Sequence, residues 1–441
     1  MKKYLSILAI SCLLNLCQLN AQQLDSAKLN VFFDAIEIND EGSGSVCVML
    51  DGKPIYKRAY GSKDYENDIA PDEQTQYRIG SITKTFTASL IMMAVEEQKL
   101  TLDTRLSDFY PQFDKSDSIT ISHLLRHRSG LYNFTNSPGY ALYMAQKKTK
   151  AEMLEIMEAG ENQFSPGTAH EYSNTGYVLL SFILEDIYDK SYKDLLYTRI
   201  FNPLGLRRTV FENQINADEN EAFSYYKTTE WSKAPIANMS IPMGAGGISS
   251  TAAETSQFFH ALFSEELVSA NSLEKMTSMV DNYGFGIFEI PFYDKTLLGH
   301  TGGIDAFQAV SVYDMKEKLS VTVLCNAVSY ARNDILIALL SAYYGRAYEI
   351  PDFKAVLVLT KDQMRPYEGT YKSDTFPLAI DVKLNNEVLE AQATGQSAFP
   401  LTAIDETTFE FKPAGIKMIF NKEVKTLTLN QAGREFVLLK E

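Results

Sequence analysis

Apolar positions change their spacing several times along the chain. Residues 44–50 (Gly-Ser-Val-Cys-Val-Met-Leu) and 54–60 (Pro-Ile-Tyr-Lys-Arg-Ala-Tyr) read as two strands around the turn Asp51-Gly52-Lys53. From about 81 the spacing becomes helical. Ser81 to Gln98 is free of Gly and Pro, and Lys99-Leu100 closes it. Helical segments continue to about 270, among them Ile121–His127, Lys150–Ala159, Gly176–Tyr188 and Thr251–Phe263. Strand character returns at Tyr283–Glu289, Lys295–Gly299, Ala306–Tyr313 and Leu319–Asn326, and Asn333–Tyr344 reads as a helix.

Strands at both ends with helices between predict an α/β fold. One antiparallel sheet is assembled from distant parts of the chain, and the helical middle covers a face or forms a side lobe. Glu349-Ile350-Pro351-Asp352 reads as the exit into a linker over 351–361. Beyond 362 come short alternating runs: Glu368–Lys372, Pro377–Lys383, Glu387–Ala393, Thr408–Phe411 and Thr426–Asn430. Residues 362–441 are therefore expected to form a small all-β domain, a barrel or sandwich.

The first residues change the picture in another way. Lys2 and Lys3 precede an apolar run from Tyr4 to Leu16, and a small residue, Ala21, stands at the expected cut. Residues 1–21 read as a cleaved signal, too short and interrupted for a transmembrane helix. The remaining chain, 22–350 and its β domain, is expected to be exported, to the periplasm or the extracellular space, with no transmembrane segment. The 441-residue chain is 45% hydrophobic and 22% charged with a formal charge of −15, which sets aside wholesale disorder. Nucleic acid demands a basic face, so this acidic chain is not expected to bind it. Of four cysteines only Cys47 and Cys325 follow the signal, both in β-branched runs, and they read as buried small hydrophobes rather than a bridge.

Three short motifs carry candidate chemistry. In Arg78-Ile79-Gly80-Ser81-Ile82-Thr83-Lys84, a serine and a lysine three apart at a helix start share a face, about 60° around and about 4.5 Å along. A partly desolvated lysine can take the proton that makes serine a nucleophile. The helix start also offers backbone N–H groups to an oxyanion. Ser224/Lys227 and Ser272/Lys275 repeat the spacing, so it is not specific alone.

Tyr172-Ser173-Asn174 precedes a second helix. Its tyrosine can shuttle a proton to a leaving group, and its asparagine can hold an amide. A loop tyrosine beside a helix cap explains the same residues, and Tyr65-Glu66-Asn67 repeats them. Gly299-His300-Thr301-Gly302-Gly303 follows a strand-like run. It reads either as a turn or as a strand edge that a substrate backbone approaches closely. His123 and His127 stand at metal-ligand spacing, but no Glu follows His123 and no third ligand is in sight, so packing or hydrogen bonding explains them.

Taken in this order, Ser-x-x-Lys at 81, Tyr-x-Asn at 172 and His-Thr-Gly at 300 resemble the serine β-lactamase and penicillin-binding-protein superfamily, in particular its class C β-lactamase and DD-peptidase branch. Leu100–Asp103, Ser122–Leu131, Gly246–Thr251 and Tyr283-Gly284-Phe285-Gly286 extend the likeness over about residues 28–345. Tyr367-Glu368-Gly369-Thr370-Tyr371 opens a region similar to the lipocalin-like module often appended to such hydrolases.

The resemblance implies a β-lactamase-like sheet flanked by helices, a helical lobe and no cofactor or metal. It implies Ser81 as acylated nucleophile, Lys84 as its base and Tyr172 as proton relay. Asn174, His300, Thr301 and Gly303 would bind substrate, with the Ser81 and Gly303 N–H groups as oxyanion hole. Whether Lys84 or Tyr172 takes the serine proton stays open. Class C β-lactamases usually carry lysine where His300 stands. A histidine, mostly neutral at pH 7, looks more like DD-peptidases, D-aminopeptidases and esterases of the superfamily.

The expected activity is an acyl-enzyme hydrolase of small peptides, amides or esters. D-amino-acid-containing peptides, such as peptidoglycan fragments, lead. A class C-like β-lactamase or small-ester hydrolase is the alternative within the enzyme class. A non-turning-over sensor or scaffold is the alternative outside it.

Overall fold

A computed structural model describes residues 24–211, 214–353, 357, 359–385, 387–394, 398–411, 414–431 and 434–441. The signal segment 1–21 lies outside the described residues. Two compact units divide between Pro351 and Asp352.

In the first unit, helix α1 (Ser26–Ile38) leads into strands β1 (Gly42–Leu50) and β2 (Lys53–Tyr60). Helices α2 (Thr83–Glu96), α3 (Ile121–Leu125) and α4 (Asn174–Tyr188) follow, then a short ribbon of β3 (Tyr225–Lys227) and β4 (Trp231–Lys233). Helix α5 (Ala252–Phe263) precedes β5 (Phe288–Phe292), β6 (Lys295–Ile304), β7 (Phe307–Asp314), β8 (Leu319–Val328) and helix α6 (Arg332–Tyr344). The sheet order is β2-β1-β8-β7-β6-β5, so β1 pairs with a remote strand, Gly42 facing Val328 and Leu50 facing Leu319. Every pairing along that path is antiparallel. The β3–β4 ribbon adds one parallel bridge, Tyr225 to Ala327, which the sequence pattern of three-residue strands did not signal.

Strand alternation sends side chains to both faces. Cys47, Met49, Ala309, Tyr313 and Leu324 join the main core with residues of α2, α4 and α5. The alternate positions Val46, Val48, Val321 and Val323 are equally buried, and Phe33 of α1 stacks near Tyr56 and Tyr60 of β2. Helix α2 is buried almost all round, its apolar Phe86, Ala88, Leu90, Ile91, Met92 and Ala94 together with Thr83, Lys84, Thr85, Thr87 and Ser89, as expected of a helix at the centre of a unit. Cys47 faces Thr322 and Cys325 faces Gly44 across the β1–β8 ladder. Both are free and buried, and burial pushes their thiols up to about 12 and about 11.

Two boundaries differ from the sequence reading. The strand expected at Tyr283–Glu289 starts only at Phe288. Residues 283–286 instead turn against α2, where Gly286 (φ +66°) leaves no room for a Cβ beside the Lys84 carbonyl and accepts the Thr85 hydroxyl at 2.6 Å. The strand expected to end at Gly299 runs on to Ile304, so His-Thr-Gly-Gly lies within β6.

The second unit is a closed eight-stranded barrel. Its strands are β9 (Gly369–Lys372), β10 (Ile380–Asn385), β11 (Val388–Ala393), β12 (Phe399–Ala403), β13 (Thr408–Phe411), β14 (Ile416–Asn421), β15 (Thr426–Gln431) and β16 (Arg434–Lys440). Alternate residues such as Tyr371, Val382, Leu389, Phe409, Phe420 and Leu429 fill its interior. A capped turn of helix, Lys361–Met364, precedes it, at the boundary between the expected linker and the expected all-β domain.

Candidate active site

The backbone before Ser81 is held on two sides. Tyr77–Arg78 pairs with Ser249–Ser250, and the Ile79 N–H donates to the Ile248 carbonyl at 3.0 Å. Gly80 then takes a left-handed φ of +51° and starts the turn that feeds α2. That turn lies almost in contact with β6. A Cβ on Gly302 would stand 1.9 Å from the Ile79 oxygen and 3.3 Å from the Ser81 nitrogen, and one on Gly80 would meet the Gly303 nitrogen at 2.7 Å. Only glycine permits this approach. Because β5 stops opposite Gly299, the edge of β6 from His300 to Ile304 carries no further ladder partner among the described residues. It is this free edge that passes Ser81.

Lys84 is fully buried, one helical turn below. Its Nζ stands 3.0 Å from Ser81 Oγ, 2.8 Å from Asn174 Oδ1 and 2.8 Å from the Ala245 carbonyl. Burial drives its pKa well below the ordinary lysine value. A neutral amine has two N–H groups and one lone pair. In the uncharged form, the two pure acceptors, Asn174 Oδ1 and the Ala245 carbonyl, would take the N–H groups and the lone pair would face the Ser81 hydroxyl. Asn174 is itself fixed, since its N–H donates to Asn133 Oδ1 and its Nδ2 to Thr135 Oγ1, both at 3.1 Å.

Tyr172 lies over the same group, with Lys84 Nζ 4.7 Å from its ring centroid. Burial raises its phenol above the ordinary value, and a hydrogen bond with Ser81 partly offsets this. The buried His127 ring packs on Tyr172 at 4.2 Å, and its Nδ1 accepts the Ser173 N–H at 3.2 Å. Its place is thus packing and hydrogen bonding. Among the described residues no three His, Cys, Asp or Glu side chains are grouped to hold a metal.

A cleft of about 760 Å³ opens at Ser81, Asn174 and Gly303. A buried ion pair invisible to motif reading holds one wall. Arg78 Nη1 donates to Asp305 Oδ2 at 2.9 Å and to the Ala237 carbonyl at 2.8 Å, while Asp305 Oδ1 accepts the Ala237 N–H at 2.9 Å. Arg78 and Asp305 are 227 residues apart, so no local spacing announces them.

Over residues 33–343, more than half its length, the sequence matches the model of the beta-lactamase family. The chain belongs to the beta-lactamase family. It is a serine hydrolase. Penicillin-binding protein 4* of Bacillus subtilis (strain 168) is 24% identical over 446 residues, covering 94% of this chain and 96% of that protein. Teichoic acid D-alanine hydrolase of Staphylococcus aureus is 27% identical over 308 residues, covering 67% of this chain and 74% of that protein. The fold matches that of the octameric penicillin-binding protein homologue from Pyrococcus abyssi, with a TM-score of 0.68, 24% identity and coverage of 94% and 100%. It also matches D-amino acid amidase from Ochrobactrum anthropi SV3, with a TM-score of 0.63, 24% identity and coverage of 73% and 99%.

In this beta-lactamase-family chain the His300 ring is buried and both of its nitrogens are engaged. Nδ1 faces the Thr301 carbonyl and must carry the proton, so Nε2 accepts the Tyr283 hydroxyl at 2.9 Å. Burial first, then the nearby Lys84, push its pKa down to about 3. The unfolded chain, with histidine at 6.5, therefore binds more protons between pH 6.5 and about 3, and stability must fall with pH across that window. Thermal melts of wild type and His300→Gln should show the wild type losing ground as pH falls from 7 to 4. The slope should approach about 1.4 kcal/mol per pH unit. A gap independent of pH would mean that His300 titrates normally.

Proposed function

We propose that the chain is an exported hydrolase that cleaves D-amino-acid-containing peptides, amides or esters through an acyl-enzyme on Ser81. Catalysis is assigned to residues 22–350, with the periplasm or extracellular space as the compartment. The observation that carries this reading is the buried Lys84 amine 3.0 Å from Ser81 Oγ. Its depressed pKa makes it a base, whereas Tyr172, pushed the other way, keeps its proton. Such a divergent pair divides the roles.

Lys84 Nζ takes the hydroxyl proton as Oγ bonds to the substrate carbonyl carbon. The oxyanion is held by the Ser81 and Gly303 N–H groups. Tyr172 donates its proton to the departing nitrogen or oxygen as that bond breaks and is reprotonated from Lys84. Water then hydrolyses the ester, and Asn174 holds the substrate amide. Thr301 and Gly303 supply the strand edge along which the acyl group lies, and His300 supports it from behind. With His300 neutral, the edge lacks the fixed cation that would grip a β-lactam carboxylate, which favours amide and ester substrates over efficient β-lactamase action.

Intact mass of mature protein mixed with D-alanine amide or a penicillin, alongside Ser81→Ala, tests the reading. A covalent adduct or turnover that Ser81→Ala abolishes is the expected result. Rapid consumption of the penicillin would overturn the substrate assignment. Activity that survives Ser81→Ala would overturn the mechanism.

A further inference from the structure

Resting on that reading, we infer that the site is asymmetric. It takes a bulky apolar group on the acyl side and a small group on the leaving side. Tyr172 marks the leaving side, because it is the proton donor. That side carries a cluster of packed rings: His127 packs on Tyr172 at 4.2 Å, and Phe288 and Tyr283 stand 5.1 and 5.9 Å from the His300 ring. None of these five residues lines the cleft.

The open volume lies on the other side of Ser81, running along β6 past Gly303 to Ile304 and Phe307. Its walls there are Phe134, Tyr140, Met144 and Pro242. At about 760 Å³ it lies in the range that holds ligands many times larger than an alanyl methyl. Its roof is tied down, since the Asn238 N–H donates to the Met144 carbonyl at 2.8 Å and Ala237 is clasped by Arg78 and Asp305. The one lysine on the cleft wall, Lys227, is drawn to Asp40 and lies 4.9 Å from the Trp231 ring centroid, so the acyl side presents no unengaged cation among the described residues. An uncharged aromatic or branched acyl group fits these walls.

Three esters with one chemistry separate the two sides: N-acetyl-D-phenylalanine methyl ester, N-acetyl-D-alanine methyl ester and N-acetyl-D-alanine benzyl ester. Labelling of Ser81 by a fluorophosphonate is measured in parallel. The phenylalanine methyl ester should exceed the alanine methyl ester at least about tenfold in kcat/KM, since even one methylene in an apolar pocket is worth about that. The benzyl ester should fall at least about tenfold below the alanine methyl ester. Met144→Asp and Ile304→Asp should each shrink the phenylalanine-to-alanine ratio several-fold.

Equal rates for the two methyl esters, a faster benzyl ester or a ratio unmoved in both variants would overturn the inference. So would turnover of none of the three by an enzyme whose Ser81 is labelled, which would leave the nucleophile standing. Failure of Ser81 to label would overturn the underlying reading as well.

Discussion

A Lys84→Met enzyme should lose at least about 10⁴-fold in kcat/KM, close to the loss from Ser81→Ala, because nucleophile and base act as one unit. The physical reason is the dry setting of the amine. Lys84 is fully buried in an apolar helix, and its three polar neighbours are two acceptors and the Ser81 hydroxyl. Methionine fills similar volume, but its thioether sulfur is far too weak a base to take the serine proton.

The same burial sets a pH signature. The native lysine pKa lies well below the 10.5 of the unfolded chain, so between those values the unfolded chain binds more protons. Wild-type stability must then rise with pH across that window, and Lys84→Met has no such term. Melts at pH 7 and 9 should shift the stability difference toward the wild type as pH rises, by up to about 1.4 kcal/mol per unit. A difference that does not change between pH 7 and 9 would mean that Lys84 stays charged in the folded protein.

Gly302→Ala should cost about 10²–10³-fold in kcat while leaving far-UV dichroism close to native. Its Cβ would stand 1.9 Å from the Ile79 oxygen. No side chain is there to yield, so β6 and the Ser81 turn must separate. Moving the Ser81 and Gly303 N–H groups apart removes the convergence an oxyanion needs, and losing one such donor costs about that much elsewhere. Gly303→Ala is the control. The nearest atom to its Cβ is the Phe307 oxygen at 4.0 Å and its φ is not left-handed, so kcat should stay within about threefold. Equal damage from both substitutions would mean that glycine serves chain flexibility here, not close approach.

The three motifs were legible because their chemistry depends on side-chain type: Ser81, Lys84, Tyr172 and Asn174 meet in space as their spacing and order suggested. What stayed hidden depends on backbone or on distance. The Ala245 carbonyl that takes a Lys84 N–H has no sequence signal, since any residue carries it. Arg78 and Asp305 look like ordinary charges until folding buries them together. The double glycine at 302–303 reads equally as a turn or a strand edge, and only its pairing with Ala309 and Gln308 of β7 decides for the strand. His300 was singled out for what it could offer a substrate, whereas its ring is spent on Thr301 and Tyr283. The alternating C-terminal runs announced a β domain, a barrel or a sandwich, and the pairing of eight strands decides for the closed barrel.

The pairing of β1 with β8 also orders events during synthesis. Residues 42–50 reach the ribosome exit early, but their central neighbour spans 319–328. Until that stretch emerges, β1 has only its hairpin partner β2 and one uncovered side. Sheets built from such remote segments form slowly. A nascent chain halted at residue 300 should therefore be protease-sensitive throughout the sheet, and the full chain, from which 319–328 has emerged, protected. The barrel, whose strands pair mostly with their immediate successors, has no comparable wait.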